Sequence, residues 1–210
     1  MPILDSAVQD YLQNLSRLPG DEILAEMERI ANERSFPIVG PQVGRLLSIL
    51  TRVRGAKSVF ELGSGYGYST LWFARAVGEG GVVHHTDGSK ENSEQAKGFL
   101  ERAGVGDRVK YHVGDAAEAL KSVGGPHDIF YMDIDKHQYP GGFDVLRPMM
   151  RPGDLLIVDN MIWGGRVVDP DAEEADTRGI QELTRRVFSD DGLEPCILPV
   201  RDGVLVSRCV

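Results

Sequence analysis

Three charged residues close the apolar run in "IFYMDIDK": Asp133, Asp135 and Lys136. A second apolar run, "LLIVDN", closes on Asp159 and Asn160. Two carboxylates and an amide oxygen form a hard, all-oxygen donor set, suited to Mg²⁺, Ca²⁺ or Mn²⁺ and ill suited to zinc or copper. Three protein ligands would leave positions for water and for oxygens of a substrate. Beside a divalent cation the ammonium form of Lys136 would be disfavoured, which makes it a candidate base. Each residue also has a plainer reading. Asp-Asn at a strand end is a common turn, Asp133 suits a cap, and Lys136 suits a solvated or ion-paired lysine. Whether they act together depends on where the fold puts the two runs.

A third stretch bears on ligand binding. "FELGSGYGYST" sets Gly63, Gly65 and Gly67 between a predicted strand and a predicted helix, where glycine lets the backbone approach a ligand closely. Dinucleotide binders favour G-x-G-x-x-G, and here the third glycine comes one residue early. The next strand ends at Asp87, whose carboxylate could accept hydrogen bonds from ribose hydroxyls. That position suits any adenosine-type cofactor. The third strand closes on Asp115 and Ala116, where an adenine ring would lie, although Asp115 equally suits the N-cap of the helix that follows.

The elements that must position these residues alternate. β-rich runs at 58–62, 81–87, 108–115, 127–133 and 153–160 are separated by the helical segments "STLWFARAV", "ENSEQAKGFLERAG" and "AAEALKSV". Such alternation implies crossover units and a parallel sheet. The tail differs: "EPCILPV" and "VLVSRCV" flank Arg201-Asp202-Gly203 and read as a β-hairpin, an antiparallel edge. The reading is therefore an open α/β sandwich. Ligands of such sheets bind beyond the carboxyl ends of the strands, so Asp133, Asp159 and Asn160 could converge on one edge. Ahead of the sheet, helical stripes at Val8, Tyr11, Leu12, Leu15 and at Ile23, Leu24, Met27, Ile30, Ala31 suit core or subunit contacts, and "PQVGRLLSILTRV" suits a third helix. One domain is expected over 1–210, with a helical extension at 1–55 and the α/β core at 56–210.

Composition sets bounds. With 210 residues, a net charge of −9 and a pI near 5.0, the chain lacks the basic balance of charge-driven nucleic-acid binding. No secretory leader and no apolar run of membrane-spanning length is seen. Cys196 and Cys209 lack metal-ligand spacing and suit inert thiols in a reducing compartment, so a cytoplasmic location is expected.

Together "GAKSVFELGSGYGYST", "AGVGDRVKYHVGDAAEAL", "YMDIDKHQY", "RPGDLLIVDNMIWGGRVVDP" and "LPVRDGVLVS" resemble the cation-dependent, S-adenosylmethionine-dependent O-methyltransferases, which include catechol and caffeoyl-CoA O-methyltransferases and small bacterial members. The resemblance runs from about Asp21 to the end of the chain. It implies a Rossmann-like class I methyltransferase sandwich, with a mostly parallel seven-stranded sheet, a C-terminal antiparallel hairpin and N-terminal helices. It implies S-adenosylmethionine and a divalent cation, Mg²⁺ first and then Ca²⁺ or Mn²⁺, held by Asp133, Asp159 and Asn160. It implies Lys136 as base, with Asp133 beside the reacting groups. Gly63, Gly65 and Ser69 would surround the methionine part of the cofactor. Asp87 would take the ribose and Asp115-Ala116 the adenine side, while Val39 and Gly40 would cover it. Glu61, Gly88 and Asp133 complete the implied cofactor set. A catechol-like, vicinal-diol phenolic acceptor and a homodimer follow from the same resemblance.

Some positions depart from the family. Gly88 and Ser89 replace an apolar residue and an acid near the adenine pocket. "KHQY" replaces the frequent K-x-N-Y, at Gln138, and Pro37 stands where many members have methionine. The acidic stretch Gly164 to Thr177 reads as a mobile lid or rim. Three alternatives stand beside this reading: a tRNA hydroxyuridine O-methyltransferase, against which the low pI weighs; a nicotinamide-dependent oxidoreductase, against which the glycine spacing and the acidic set weigh; and a non-catalytic cofactor-binding module.

Overall fold

The computed structural model describes residues 5–210. Seven strands, β1 (Ser58–Leu62), β2 (Val82–Asp87), β3 (Val109–Val113), β4 (Ile129–Met132), β5 (Leu155–Val158), β6 (Leu193–Leu198) and β7 (Val204–Cys209), form one sheet in the order β3-β2-β1-β4-β5-β7-β6. The first five are mutually parallel, and β7 runs antiparallel between β5 and β6. It is thus the second strand of the hairpin, not the first, that joins the parallel sheet. Central β1, β4 and β5 are covered on both faces, which is why their sequences read as unbroken apolar runs rather than alternations.

Among the described residues eight α-helices flank the sheet: α1 (Ser6–Ser16), α2 (Glu22–Arg34), α3 (Gly40–Arg54), α4 (Tyr68–Val77), α5 (Lys90–Arg102), α6 (Ala116–Val123), α7 (Tyr139–Leu146) and α8 (Ala175–Phe188). Alternate strand residues sort them into two layers. Val59, Val83 and Tyr131 pack against α2 to α5, and Phe60, Phe130 and Met132 against α6 to α8. Asp21, Ser89 and Asp115 each cap a helix by accepting a backbone N–H, so the predicted starts of α2, α5 and α6 have a physical cause. No described helix is long and apolar enough to cross a membrane.

Two sequence expectations change. The first concerns α1, whose apolar stripe lies outside this chain's core: Val8, Tyr11 and Leu15 are 45%, 62% and 61% exposed, and no residue of α1 is buried. The second concerns the stretch Gly164 to Thr177. Its last three residues form the first turn of α8, and Thr177 is buried, because the amphipathic run "ADTRGIQELTRRVF" docks Ile180, Leu183 and Val187 on the sheet. Only the part before α8 forms an exposed rim, and Gln181 Nε2 donates to two of its carbonyls, Val167 at 3.1 Å and Asp169 at 2.6 Å.

Strand order reverses between β1 and β4, so a crevice opens beyond their carboxyl ends. The glycine loop after β1 is fastened there by Glu61. Its buried carboxylate accepts from Ser69 Oγ at 2.6 Å, Thr70 Oγ1 at 2.5 Å and Ser64 Oγ at 3.2 Å. Burial pushes this carboxyl up to about 7, against an ordinary value of 4.5, although the three hydroxyls pull the other way. The native state therefore binds the proton more tightly than the unfolded chain. The stability this contributes is present in full below about pH 4.5 and is lost as pH rises through about 7. Urea midpoints recorded from pH 5 to 8 should fall more steeply for the wild type than for Glu61→Gln, by on the order of 2 kcal/mol across the window. Parallel curves would show that Glu61 is not the group responsible.

Candidate active site

The crevice is a cavity of about 950 Å³ that runs from the glycine loop to the ends of β4 and β5. At one end the parallel register pairs Met132 with Val158, so the residues that follow, Asp133 and Asp159, leave the sheet side by side. Asp159 is 5% exposed, and its Oδ1 is buried with no hydrogen-bond partner. Burial first, and the Asp133 charge second, push its carboxyl up to about 7. Burial raises Asp133 as well, against the pull of Lys136. A buried carboxyl with an unpartnered oxygen beside a half-buried one, both facing one cavity, form an arrangement that a cation would relieve.

Asn160 follows with φ 58°, in the left-handed region that asparagine tolerates better than most residues. Its amide Nδ2 donates to Asp202 Oδ2 at 3.4 Å, which leaves the carbonyl oxygen as the atom that could ligate a cation. All three residues line the cavity. Among the described residues no trio of His, Cys, Asp or Glu forms a metal cluster. The set here is two carboxylates plus an amide, and its chemistry fits a hard divalent cation.

Lys136 begins a short 3-10 turn just past Asp133. Its Nζ donates to Asp133 Oδ1 at 2.8 Å and to Ile134 O at 3.2 Å, and lies over the rings of Tyr139 and Trp163. The first turns of α8 hold this segment. Asp176 Oδ1 pairs with the His137 backbone N–H at 3.0 Å and with its ring Nδ1 at 2.9 Å. At Gly179 an added Cβ would sit 2.1 Å from Lys136 O, so α8 and the lysine loop touch backbone to backbone. Asp135 is exposed at the cavity wall, near Gln138.

The other end of the cavity is lined by Val39, Gly63, Gly65, Ser69, Asp87, Gly88, Asp115 and Ala116 of the predicted cofactor set. Gly63 has φ +86°, and an added Cβ would lie 2.6 Å from Asp133 O. A side chain there would displace the very residue on which the acidic end depends. Asp87 Oδ1 accepts from Ser89 N at 2.8 Å and Asn92 Nδ2 at 3.0 Å, so the departure at Gly88-Ser89 produces a tight turn that braces Asp87. Asp115 caps α6 and lines the cavity at once. Two predicted residues stay off the cavity wall. Glu61 works beneath the loop, and Gly40, at φ +73°, makes room for Arg201, whose Nη1 would be 3.0 Å from an added Cβ.

Sequence reasoning missed several contributors. Tyr139 donates its hydroxyl to Asp159 O at 2.9 Å, and Thr86 Oγ1 accepts from Gly63 N at 3.1 Å while donating to Glu61 O at 2.7 Å. Trp163, Arg201 and Asp202 line the cavity from elements distant in sequence. The only signal for the last two was the Asp-Gly turn that marked the hairpin.

Comparison with known proteins bears on the family. A family model described as "O-methyltransferase" matches residues 13–210. A protein of Niastella koreensis named catechol O-methyltransferase is 29% identical over 198 residues, 91% of this chain and 89% of that protein. The Bacillus cereus O-methyltransferase solved with S-adenosylhomocysteine superposes with a TM-score of 0.88 at 27% identity, covering 97% of both chains. TomG of Streptomyces achromogenes, solved with S-adenosylmethionine and involved in tomaymycin synthesis, gives 0.88 at 28% identity, covering 97% of this chain and 96% of its own. With a class I methyltransferase fold, an open crevice beyond the strand ends and a family match over nearly its whole length, the chain belongs to the O-methyltransferase family.

Proposed function

We propose that this O-methyltransferase is divalent-metal-dependent and methylates one of two vicinal hydroxyls on a phenolic, catechol-like small molecule. The observation that carries the reading is the buried, unpartnered Oδ1 of Asp159 beside Asp133. Asp133, Asp159 and Asn160 would hold the cation, with Mg²⁺ the first choice for an all-oxygen set. When bound, such an ion supplies positive charge that acidifies a hydroxyl and fixes the direction of two vicinal oxygens.

S-adenosylmethionine supplies the methyl group as a sulfonium. Gly63 and Gly65 let the backbone approach its methionine part, Ser69 stands at the start of α4, Asp87 faces the ribose, and Asp115 and Ala116 stand at the adenine side. Val39 closes over it, with Phe36 set edge-on to Tyr66 at 5.0 Å as an apolar wall. Such a wall keeps water from a reaction in which the sulfonium charge disappears. Lys136 would take the hydroxyl proton at Nζ. Its Nζ lies 2.8 Å from Asp133 Oδ1, so positive charge shared by Asp133 would loosen that contact and free the lysine for this task. A homodimer belongs to the same proposal, with the exposed stripe of α1 as the surface that a second copy would cover.

Release of S-adenosylhomocysteine from a catechol panel should fall at least 100-fold on chelation and return with Mg²⁺. Turnover indifferent to chelator would sink the metal, and methylation of unmethylated tRNA in place of the panel would move the acceptor to nucleic acid. Lys136→Met should lower kcat by about 10²–10⁴-fold, with S-adenosylhomocysteine affinity unchanged. Gly179→Ala, which pushes only on the lysine loop, should cost about 10- to 100-fold in kcat and 1–3 kcal/mol in stability. Equal kcat with lost stability would mean that α8 does not position Lys136. Sedimentation of Tyr11→Glu/Leu15→Glu should show a monomer where the wild type is a dimer.

A further inference from the structure

Arg201 occupies the turn between β6 and β7 with φ 51°. Glycine takes this left-handed conformation without strain, whereas a residue with a Cβ does not, and such strain gathers at functional positions. The charge of the arginine reaches Asp133 and Asp159 through space and favours their ionised forms. Its Nη1 donates to Ile38 O at 2.6 Å, and it forms no ion pair with any described carboxylate. The neighbouring Asp202 is occupied elsewhere: Oδ1 accepts from Gly164 N at 2.6 Å and Oδ2 from Asn160 Nδ2 at 3.4 Å. Gly40 leaves the space that the guanidinium fills.

The cavity around it is acidic. Asp87, Asp115, Asp133, Asp135, Asp159 and Asp202 line it, and among the described lining residues only Lys136 and Arg201 are cationic. Lys136 is engaged with Asp133 and Ile134 O. Arg201 has one N–H engaged of the five a guanidinium offers, and it is exposed. It stands on the side of the cavity where the acceptor would bind, since the next residue holds the amide of Asn160 and the rim at Gly164.

We propose that Arg201 selects acceptors bearing a carboxylate away from the hydroxyls that are methylated. Six aspartates line the cavity, so away from the proposed cation site an anionic acceptor finds attraction at Arg201, where a guanidinium can grip a carboxylate through two parallel N–H donors. The inference rests on the vicinal-diol reading of the acceptor. The carboxylate of the cofactor's amino-acid end is the rival occupant, and the experiment separates the two.

The test compares 3,4-dihydroxybenzoate with 3,4-dihydroxybenzamide, which differ in one charge. Arg201→Gln keeps an N–H for Ile38 O while removing the charge, and Arg201→Gly removes the backbone strain as well. Two readouts are taken with the Mg²⁺-loaded protein: kcat/KM, and the Kd of each diol in the S-adenosylhomocysteine complex by calorimetry. For both variants, kcat/KM should drop and Kd should rise about 10-fold or more with the benzoate. The benzamide values should stay within about 2-fold. Equal losses on both diols would overturn the proposal by making Arg201 a latch on the Ile38 segment. Weakened S-adenosylhomocysteine binding with both diols unaffected would overturn it in favour of the cofactor's carboxylate. Wild type that neither binds nor methylates either diol would overturn the acceptor reading, and this proposal with it.

Discussion

Repulsion between two acids at the ends of adjacent parallel strands is the constraint around which this end of the molecule is built. Neighbouring strands lie about 4.8 Å apart, and the register of β4 with β5 leaves Asp133 and Asp159 no way to separate without breaking the sheet. In a buried setting such a pair is costly unless positive charge is close. Lys136 meets part of that need at 2.8 Å from Asp133, while Asp159 Oδ1 has no partner. The surrounding contacts keep the pair from relaxing. The Tyr139 hydroxyl fixes the Asp159 carbonyl, and the backbone of Gly63 presses against that of Asp133.

This last contact joins the two halves of the cavity. The glycine loop after β1 and the acidic residue at the end of β4 meet with no side chain between them. Glu61 holds that loop from below through three hydroxyls, so a buried acid braces the cofactor half. A disturbance at β1 is thereby passed to the end of β4 through backbone rather than through exchangeable side chains.

Much of the fold was legible because the chain alternates apolar runs with helical ones, and the central strands are apolar on both faces. The acidic ends of β4 and β5 were legible for the same reason, since charge at the end of an unbroken apolar run is conspicuous. α7 was not legible, because "YPGGFDVL" has a proline and two glycines, and it forms a helix only by docking Tyr139, Phe143 and Leu146 in the core. Gly179 was invisible because its importance lies in a contact with Lys136, which no local pattern encodes. Glu61 and Gly40 entered the cofactor set through the family resemblance. Neither lines the cavity: Glu61 holds the glycine loop from beneath, and Gly40 makes room for Arg201. Arg201 and Asp202 looked like turn residues, and they are, but the antiparallel insertion of β7 carries that turn back to the site.

That insertion also sets an order in time. A ribosome makes the cover at Ile38 and the glycine loop early, and it makes Arg201 and Asp202 more than a hundred residues later. Until the β6–β7 turn has emerged and folded back, Asn160 lacks the carboxylate that orients its amide, and Ile38 lacks its guanidinium. A nascent chain can therefore complete most of its sheet while its reaction centre is still open. The last hairpin closes the centre, so competence for chemistry arrives late in synthesis, after most of the hydrophobic core is already in place.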